Sequence, residues 1–276
     1  MNNKKKKAIT LTVRYIVIIF WCIFTLIPIY TAFVAALTKA ENLGNNFLYP
    51  VDWQFKNFIE IFDRIEYASF LKATFIYAVG SALLNVILAT FAAYALSRFA
   101  FKGKGFYSAV IFLTQVLPQI VIIVPVFIMM QRLNLYNTYI GVILVILATS
   151  MAFPILLMRS FFDSVPIALE EAAAIDGCSR LGTLARIILP LATPGIATSF
   201  ALSFFTGWGQ YLYPLLLTRD AAKTPVTVGI SRLMDNQTPW EMVMTGTLLS
   251  VIPAIIIYLI VQKSLISGLS NGAVKQ

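Results

Sequence analysis

The sequence contains no histidine, and only 12% of its residues are charged. The first absence removes the commonest general base near neutral pH and the commonest zinc ligand. The second removes the surface of a soluble protein. An ordinary domain carries about 25% charged residues, and 276 residues this poor in charge have nothing with which to cover a core. Two cysteines are present, Cys22 in a hydrophobic segment and Cys178 in a polar break, so no disulfide framework is implied. With 59% hydrophobic residues and a mean hydropathy of +0.82, the chain reads as an integral membrane protein.

Charge is missing altogether from six long windows, 15–38, 73–97, 105–131, 133–158, 187–218 and 242–262. Each reaches the roughly 20 residues that cross about 30 Å of hydrocarbon at about 1.5 Å per residue. Backbone in lipid must satisfy its own hydrogen bonds, so an all-α membrane protein is expected. The helices are placed near 14–36, 72–97, 106–130, 139–159, 194–217 and 244–263, in one transmembrane domain over 1–276. No charged residue falls in their cores, which argues against a carrier driven through buried carboxylates. Polar residues that do fall there include Asn85, Thr114, Gln115, Gln119, Ser199, Ser203, Thr206 and Gln210. Asn85, Gln115 and Gln119 either line a polar path or join helices by hydrogen bonds.

The basic residues divide unevenly. Six spans put both termini on one face, together with Arg98, Lys102, Lys104, Arg159, Arg180, Arg186 and Lys263. That face holds thirteen Lys and Arg against Asp163, Glu170, Glu171 and Asp176, so the whole net charge of +9 sits there. Lysine and arginine near span ends mark the cytoplasmic side, which places both termini and the 163–190 loop in the cytoplasm. The basic balance is thus accounted for by topology, and nucleic acid is a poor partner for it.

Lys4–Lys7 followed by an apolar run resembles a signal peptide, but 23 uncharged residues from Tyr15 to Leu37 exceed its hydrophobic region. A retained first helix is expected. Trp53, Phe55, Phe58, Ile59, Phe62 and Phe70, mixed with charge, suit a helix lying at the membrane interface, with ligand stacking as the alternative. Pro118 and Pro125 in the third span, beside Gln115 and Gln119, point to a bent helix facing a cavity, and Pro154 bends the fourth.

One polar break stands apart, LEEAAAIDGCSRLGTLARIILP over 169–190. Ser164 or Asp163 can cap a first helix with Pro166 in its first turn. Ala172, Ala173 and Ala174 favour helix, Gly177 occupies a C-terminal turn position, and Ser179 can cap a second run to Pro190. The run contains no nucleophile and base pair. The near-miss GCSRLGT (177–183) lacks the lysine of a phosphate-binding loop, so ATP is not bound by that motif.

The spacing Glu171-Ala172-Ala173, Gly177, Ile187-Ile188-Leu189-Pro190 fills the EAA signature of ABC importer permeases. AAYALSRFAFKGK (92–104), LPQIVIIVP (117–125), RSFFDSVP (159–166) and GLSNGAVKQ (268–276) extend the resemblance over nearly the full length. The chain resembles the binding-protein-dependent carbohydrate permeases of the maltose type, in particular their shorter six-span subunit. That resemblance implies an ABC type I importer permease fold with a cytoplasmic coupling helix. It assigns ATPase-subunit contact to Glu170, Glu171, Ala172, Ala173, Asp176 and Gly177, and a further contact to the tail after Lys263. Implied partners are a second permease subunit, two ATP-binding subunits, an extracellular or periplasmic solute-binding protein and membrane lipid.

Also implied are a bacterial inner or plasma membrane location, no cofactor in this chain, and Mg-ATP held and hydrolysed by the partner subunits. The chain would then be no enzyme but a sugar permease working by alternating access. Its outer face would comprise 38–71, 131–138 and 218–243. One departure concerns GWGQYLYP (207–214), where Gly209 and Gln210 replace the amide and acid usual in this subfamily. The candidate translocation path is Asn85, Gln115, Gln119, Ser203, Trp208, Gln210 and Tyr211. For Trp208, Gln210 and Tyr211 a sugar-facing cluster and an interfacial aromatic belt both fit. A permease for an amino acid, metal complex or glycerol phosphate, and a non-ABC channel or structural membrane protein, are the competing classes.

Overall fold

The structure, a computed structural model, describes residues 3–44, 48–235 and 238–273. Among these residues the elements are helical and no strand occurs. Three helices are each long and apolar enough to cross a membrane, α1 (Asn3–Leu37), α3 (Tyr67–Arg98) and α14 (Trp240–Ala273). Three bent pairs pass the same test when each is taken as one span, which brings the number to as many as six.

The sequence places proline-bent helices over 106–130 and 139–159, and in the structure each bend is a full break. The first becomes α4 (Lys104–Val116) and α5 (Gln119–Arg132), bent by 102°. Pro118 lacks an N–H and drives Leu117 into extended backbone (φ −70°, ψ 120°), so the helix cannot run through. The second becomes α6 (Tyr139–Ser150) and α7 (Ala152–Ser164), bent by 54°. Here Pro154 cannot donate to the carbonyl of Ser150 one turn back.

The fifth span also ends early. It runs as α11 (Thr193–Trp208), breaks at Gly209–Tyr211, and resumes as α12 (Leu212–Leu217). Before it, the segment Arg180–Leu191 meets α11 at 79°. Pro194 has no N–H to offer the Pro190 carbonyl, and Thr193 Oγ1 donates to that oxygen at 2.8 Å.

The chain divides into two compact units. The first comprises 1–67 and 230–251. Its helix α1 is apolar all round, and side chains from Leu11 to Ile29 are exposed along it. Only its C-terminal end is buried, through Val34, Ala36 and Leu37. Asn57 of α2 (Asn57–Arg64) donates to the Ala36 carbonyl at 3.1 Å, and the Tyr67 hydroxyl to the Gly246 carbonyl at 2.6 Å. The interfacial helix expected in this region is α2, with Trp53 and Phe55 stacked and exposed before it.

The second unit comprises 68–229 and 252–276. Two apolar clusters fill it. At one end Ala89, Ala93 and Tyr94 of α3 meet Ile155, Met158 and Phe162 of α7 and Leu184 and Ile188. At the other, Ala73 and Tyr77 meet Met130, Val142, Ile146, Tyr213 and Leu217. Close helix approach is set by Gly207, where a Cβ would fall 2.8 Å from the Cα of Ala78. Small residues let membrane helices pack at that range, and a backbone neighbour cannot step aside for a larger one.

Candidate functional site

Two polar places in the second unit hold most of the predicted site residues. The first is the 163–190 loop. Its helix α8 spans Ile167–Ile175. Neither Ser164 nor Asp163 caps it. The N-cap is Pro166 with no side-chain bond, because the Ser164 hydroxyl donates to the Phe161 carbonyl and Asp163 accepts from Ser97. The C-terminus closes as the sequence suggests. Gly177 takes φ +78°, its N–H donates to the Ala174 carbonyl at 3.1 Å, and Cys178 N–H donates to the Ala173 carbonyl at 2.9 Å. These two crossed bonds are a Schellman closure, which needs a left-handed residue at Gly177. Ser179 Oγ then accepts from Gly182 N–H at 3.2 Å and starts α9 (Arg180–Thr183). A π turn over Leu184–Ile188 and the short α10 (Leu189–Leu191) follow.

The six candidate contact residues do not share one face. Glu171, Ala172, Asp176 and Gly177 are exposed. Ala173 is buried, and Glu170 turns inward to Arg98. The residues that sequence reasoning passed over are the apolar ones around them. Ile175 is 86% exposed, Leu181 67% and Ile167 59%, so the solvent face of this loop is apolar with Glu171 and Asp176 beside it. The signal was present as an apolar residue on both sides of the acidic pair. Below the helix lies a cavity of about 430 Å³ lined by Tyr94, Arg98, Phe99, Glu170, Glu171 and Arg180, with the Arg180 guanidinium 5.1 Å from the Phe99 ring centre. The helix of the C-terminal tail continues to Ala273, and residues 274–276 lie outside the described residues.

The second place is a cavity of about 480 Å³ at the two bends. Gln115 and Gln119 reach it from either side of the Pro118 break, Thr149, Ser150 and Pro154 from the α6–α7 bend, and Ser203, Thr206 and Gln210 from α11 and its end. The breaks that spoil straight helices are therefore what brings these amides and hydroxyls together. No lining residue is ionisable. Ser203 Oγ is buried without a hydrogen-bond partner.

Three of the seven candidate path residues lie elsewhere. Asn85 is fully buried in α3, where its Nδ2 donates to Ser150 Oγ at 2.9 Å. It joins helices behind the cavity. Trp208 packs edge-on against Phe75 at 4.9 Å and stacks on Phe204 at 5.5 Å, in an apolar cluster with Ala78 and Ala82. Tyr211 is part-exposed and outside the cavity wall. The expected cluster of Trp208, Gln210 and Tyr211 is thus split, with Gln210 alone at the cavity. The reason is helix geometry: at about 100° per residue Trp208 stands on the face of α11 opposite Thr206, while Gln210 returns to the cavity side. Among the described residues, no cluster of side chains suits a metal ion.

Comparison with known proteins gives the following. Residues 85–271 match the family described as "Binding-protein-dependent transport system inner membrane component". The probable ABC transporter permease protein YurM of Bacillus subtilis (strain 168) is 34% identical over 82% of this chain and 75% of its own length. The trehalose/maltose transport system permease protein MalG of Thermococcus litoralis is 29% identical over 100% of this chain and 99% of its own length. A chain of a bacterial ABC transporter involved in the import of the acidic polysaccharide alginate superposes with a TM-score of 0.79. It is 27% identical and covers 95% of this chain and 98% of the other.

Proposed function

This chain belongs to the binding-protein-dependent transport system inner membrane components, and from that membership we propose that it carries an uncharged carbohydrate through the cavity at its bends. It is a multi-pass permease subunit of an ATP-driven importer. The single observation that carries the substrate reading is the cavity wall. Its polar groups are the amides of Gln115, Gln119 and Gln210 and the hydroxyls of Thr149, Ser150, Ser203 and Thr206, which donate to and accept from sugar hydroxyls. Phe153 and Phe205 add apolar faces for a sugar ring. An anionic solute would leave water here for a wall that offers no cation, and an unpaired charge is the costliest group to desolvate.

The rest of the machine follows from the family and the exposed loop. Both termini and α8 face the cytoplasm of a bacterial cell, as the basic residues of that face favour. Two partner subunits bind and hydrolyse Mg-ATP, and this chain holds no cofactor of its own. Glu171, Ala172, Asp176 and Gly177, with Ile167, Ile175 and Leu181, form the contact with one of them. A solute-binding protein delivers the sugar to the opposite face, and a second permease subunit completes the pathway. ATP-driven closure of the partners moves α8, and the bends at Pro118 and Pro154 allow helix halves to move as rigid pieces. Such motion shifts access only if the partner binds the two states differently.

Uptake of paired probes tests the substrate reading. Cells expressing the importer should accumulate a neutral disaccharide such as trehalose or maltose, or a neutral trisaccharide, while the corresponding uronic acids and glycerol 3-phosphate are excluded. Equal uptake of an acidic and a neutral probe would sink the proposal.

A further inference from the structure

Arg98 is the last residue of α3, and its side chain is only 10% exposed. All three guanidinium nitrogens are used. Nε pairs with Glu170 Oε1, Nη2 donates to the Val165 carbonyl at 2.9 Å, and Nη1 donates to Ser97 Oγ at 3.1 Å. The second oxygen of Glu170 accepts from the Tyr94 hydroxyl at 3.1 Å. Its neighbour Ser97 donates to Asp163 at 2.5 Å, and Arg159 lies 3.6 Å from the same carboxylate. The end of α3 is thus bracketed to the approach to α8 through Val165 and Asp163, and to α8 itself through Glu170.

Apolar packing does little of this work. Of the residues in α8 only Ala173 is buried, while Ile167, Leu169 and Ile175 are exposed. The orientation of α8 is held by the Schellman turn at one end and the Arg98–Glu170 pair at the other. Helix α3 then runs 32 residues without a proline, past Asn85, whose amide grips Ser150 at the cavity wall. A straight α-helix of that length spans about 48 Å at about 1.5 Å per residue. Exposed pairs contribute little, but a largely buried pair with all three guanidinium nitrogens bonded fixes geometry, since either partner alone is left as a largely buried charge.

We infer that Arg98 is a positioning residue for energy transmission, the rigid link that delivers displacement of α8 into α3 and so to the cavity. The inference rests on the reading of α8 as the ATPase-docking helix. Without the link, a partner still docks on the exposed face of α8, but its motion is taken up between α8 and α3.

The test uses the whole importer with its ATPase subunits in proteoliposomes. Cys22 and Cys178 are replaced by serine, and Thr206→Cys at the cavity wall is labelled with a water-soluble maleimide. In the parent complex, trapping with ATP and vanadate should change the labelling rate at least tenfold. Arg98→Gln and Glu170→Gln should each keep the ATPase subunits bound and hydrolysing within about twofold, yet reduce that change to less than twofold. The reversed pair, Arg98→Glu with Glu170→Arg, should restore at least half of it on a logarithmic scale. Glu170→Gln keeps the size of the side chain and one acceptor oxygen while removing its charge, and serves as the deciding variant if Arg98→Gln does not reach the membrane. An unchanged response in Glu170→Gln overturns the inference, as does loss of labelling response in step with loss of ATPase binding. If the parent chain itself retains no ATPase subunit, the docking reading fails first and takes the inference with it.

Discussion

The loop around α8 and the cavity at the bends are both polar, and they treat polar groups in opposite ways. Around α8 most groups find partners within the chain, Arg159 Nε with only a 3.6 Å ion pair to Asp163 being the exception. Arg98 meets three acceptors, Glu170 uses both oxygens, and the N–H groups of Gly177, Cys178 and Gly182 are all taken. At the cavity Ser203 Oγ is buried with no partner, and just behind it Asn85 uses its amide nitrogen while its Oδ1 is left over. A buried polar atom left unmet costs about 1–3 kcal/mol. A segment that transmits motion gains from internal pairing, because slack between its parts would absorb the stroke. A surface that receives a guest or a second subunit keeps bonding capacity in reserve.

Breaking the paired region at its turn should have the largest effect. Gly177→Val puts a β-branched residue at φ +78°, where nothing lies within 4 Å of the added Cβ. The penalty is therefore in the backbone and not in packing, about 1–2 kcal/mol for a left-handed residue, and it falls on the closure that orients α8. Uptake should drop at least tenfold while the amount of chain in the membrane stays within twofold. Membrane fractionation alongside an uptake assay checks both, and normal uptake would remove the turn from the coupling path.

In the unpaired region the effects should be smaller and of another kind. Gln115→Leu and Gln119→Leu each delete one amide from the cavity wall without touching the docking loop. A net hydrogen bond is worth about 0.5–1.5 kcal/mol, so each should raise the half-saturating concentration of a neutral sugar roughly 2–10-fold. Maximal rate and ATP-stimulated hydrolysis should stay close to the parent. A fall in maximal rate with unchanged half-saturation would mean that these amides act on the conformational cycle and not on the guest.

The contrast was partly legible in the amino-acid sequence. Six uncharged windows, the prolines and the Gly177 turn all follow from local chemistry, and each acts where its own residue stands. The partners of Glu170 and Trp208 depend on residues 72 and 133 positions away, Arg98 and Phe75, and no local pattern reveals them. Glu170 reads as a contact for another subunit until Arg98 is seen against it. Trp208 reads as a sugar platform until Phe75 and Phe204 are seen against its ring. The bends at Pro118 and Pro154 are legible in the prolines themselves, but the angle of 102° at the first follows from no local pattern.

The smallest effect should come from Asn85, which sits between the two regions in kind. It is buried and bonded to Ser150, like the groups of the docking loop, but retains an unmet oxygen, like those of the cavity. Hydrogen bonds between helices in membranes average about 0.6 kcal/mol. Ser150→Ala removes the acceptor of Asn85 Nδ2 and should lower the Tm of the detergent-solubilised complex by only about 1–2 °C, given about 2–4 °C per kcal/mol for chains of this size. Asn85→Leu removes the same bond together with the orphaned oxygen, and the two losses offset, so its Tm should match or exceed that of Ser150→Ala. Asn85→Leu should not move the half-saturating sugar concentration, because Asn85 is absent from the cavity wall. A shift of more than threefold in Asn85→Leu would place its free oxygen on the route of the sugar after all.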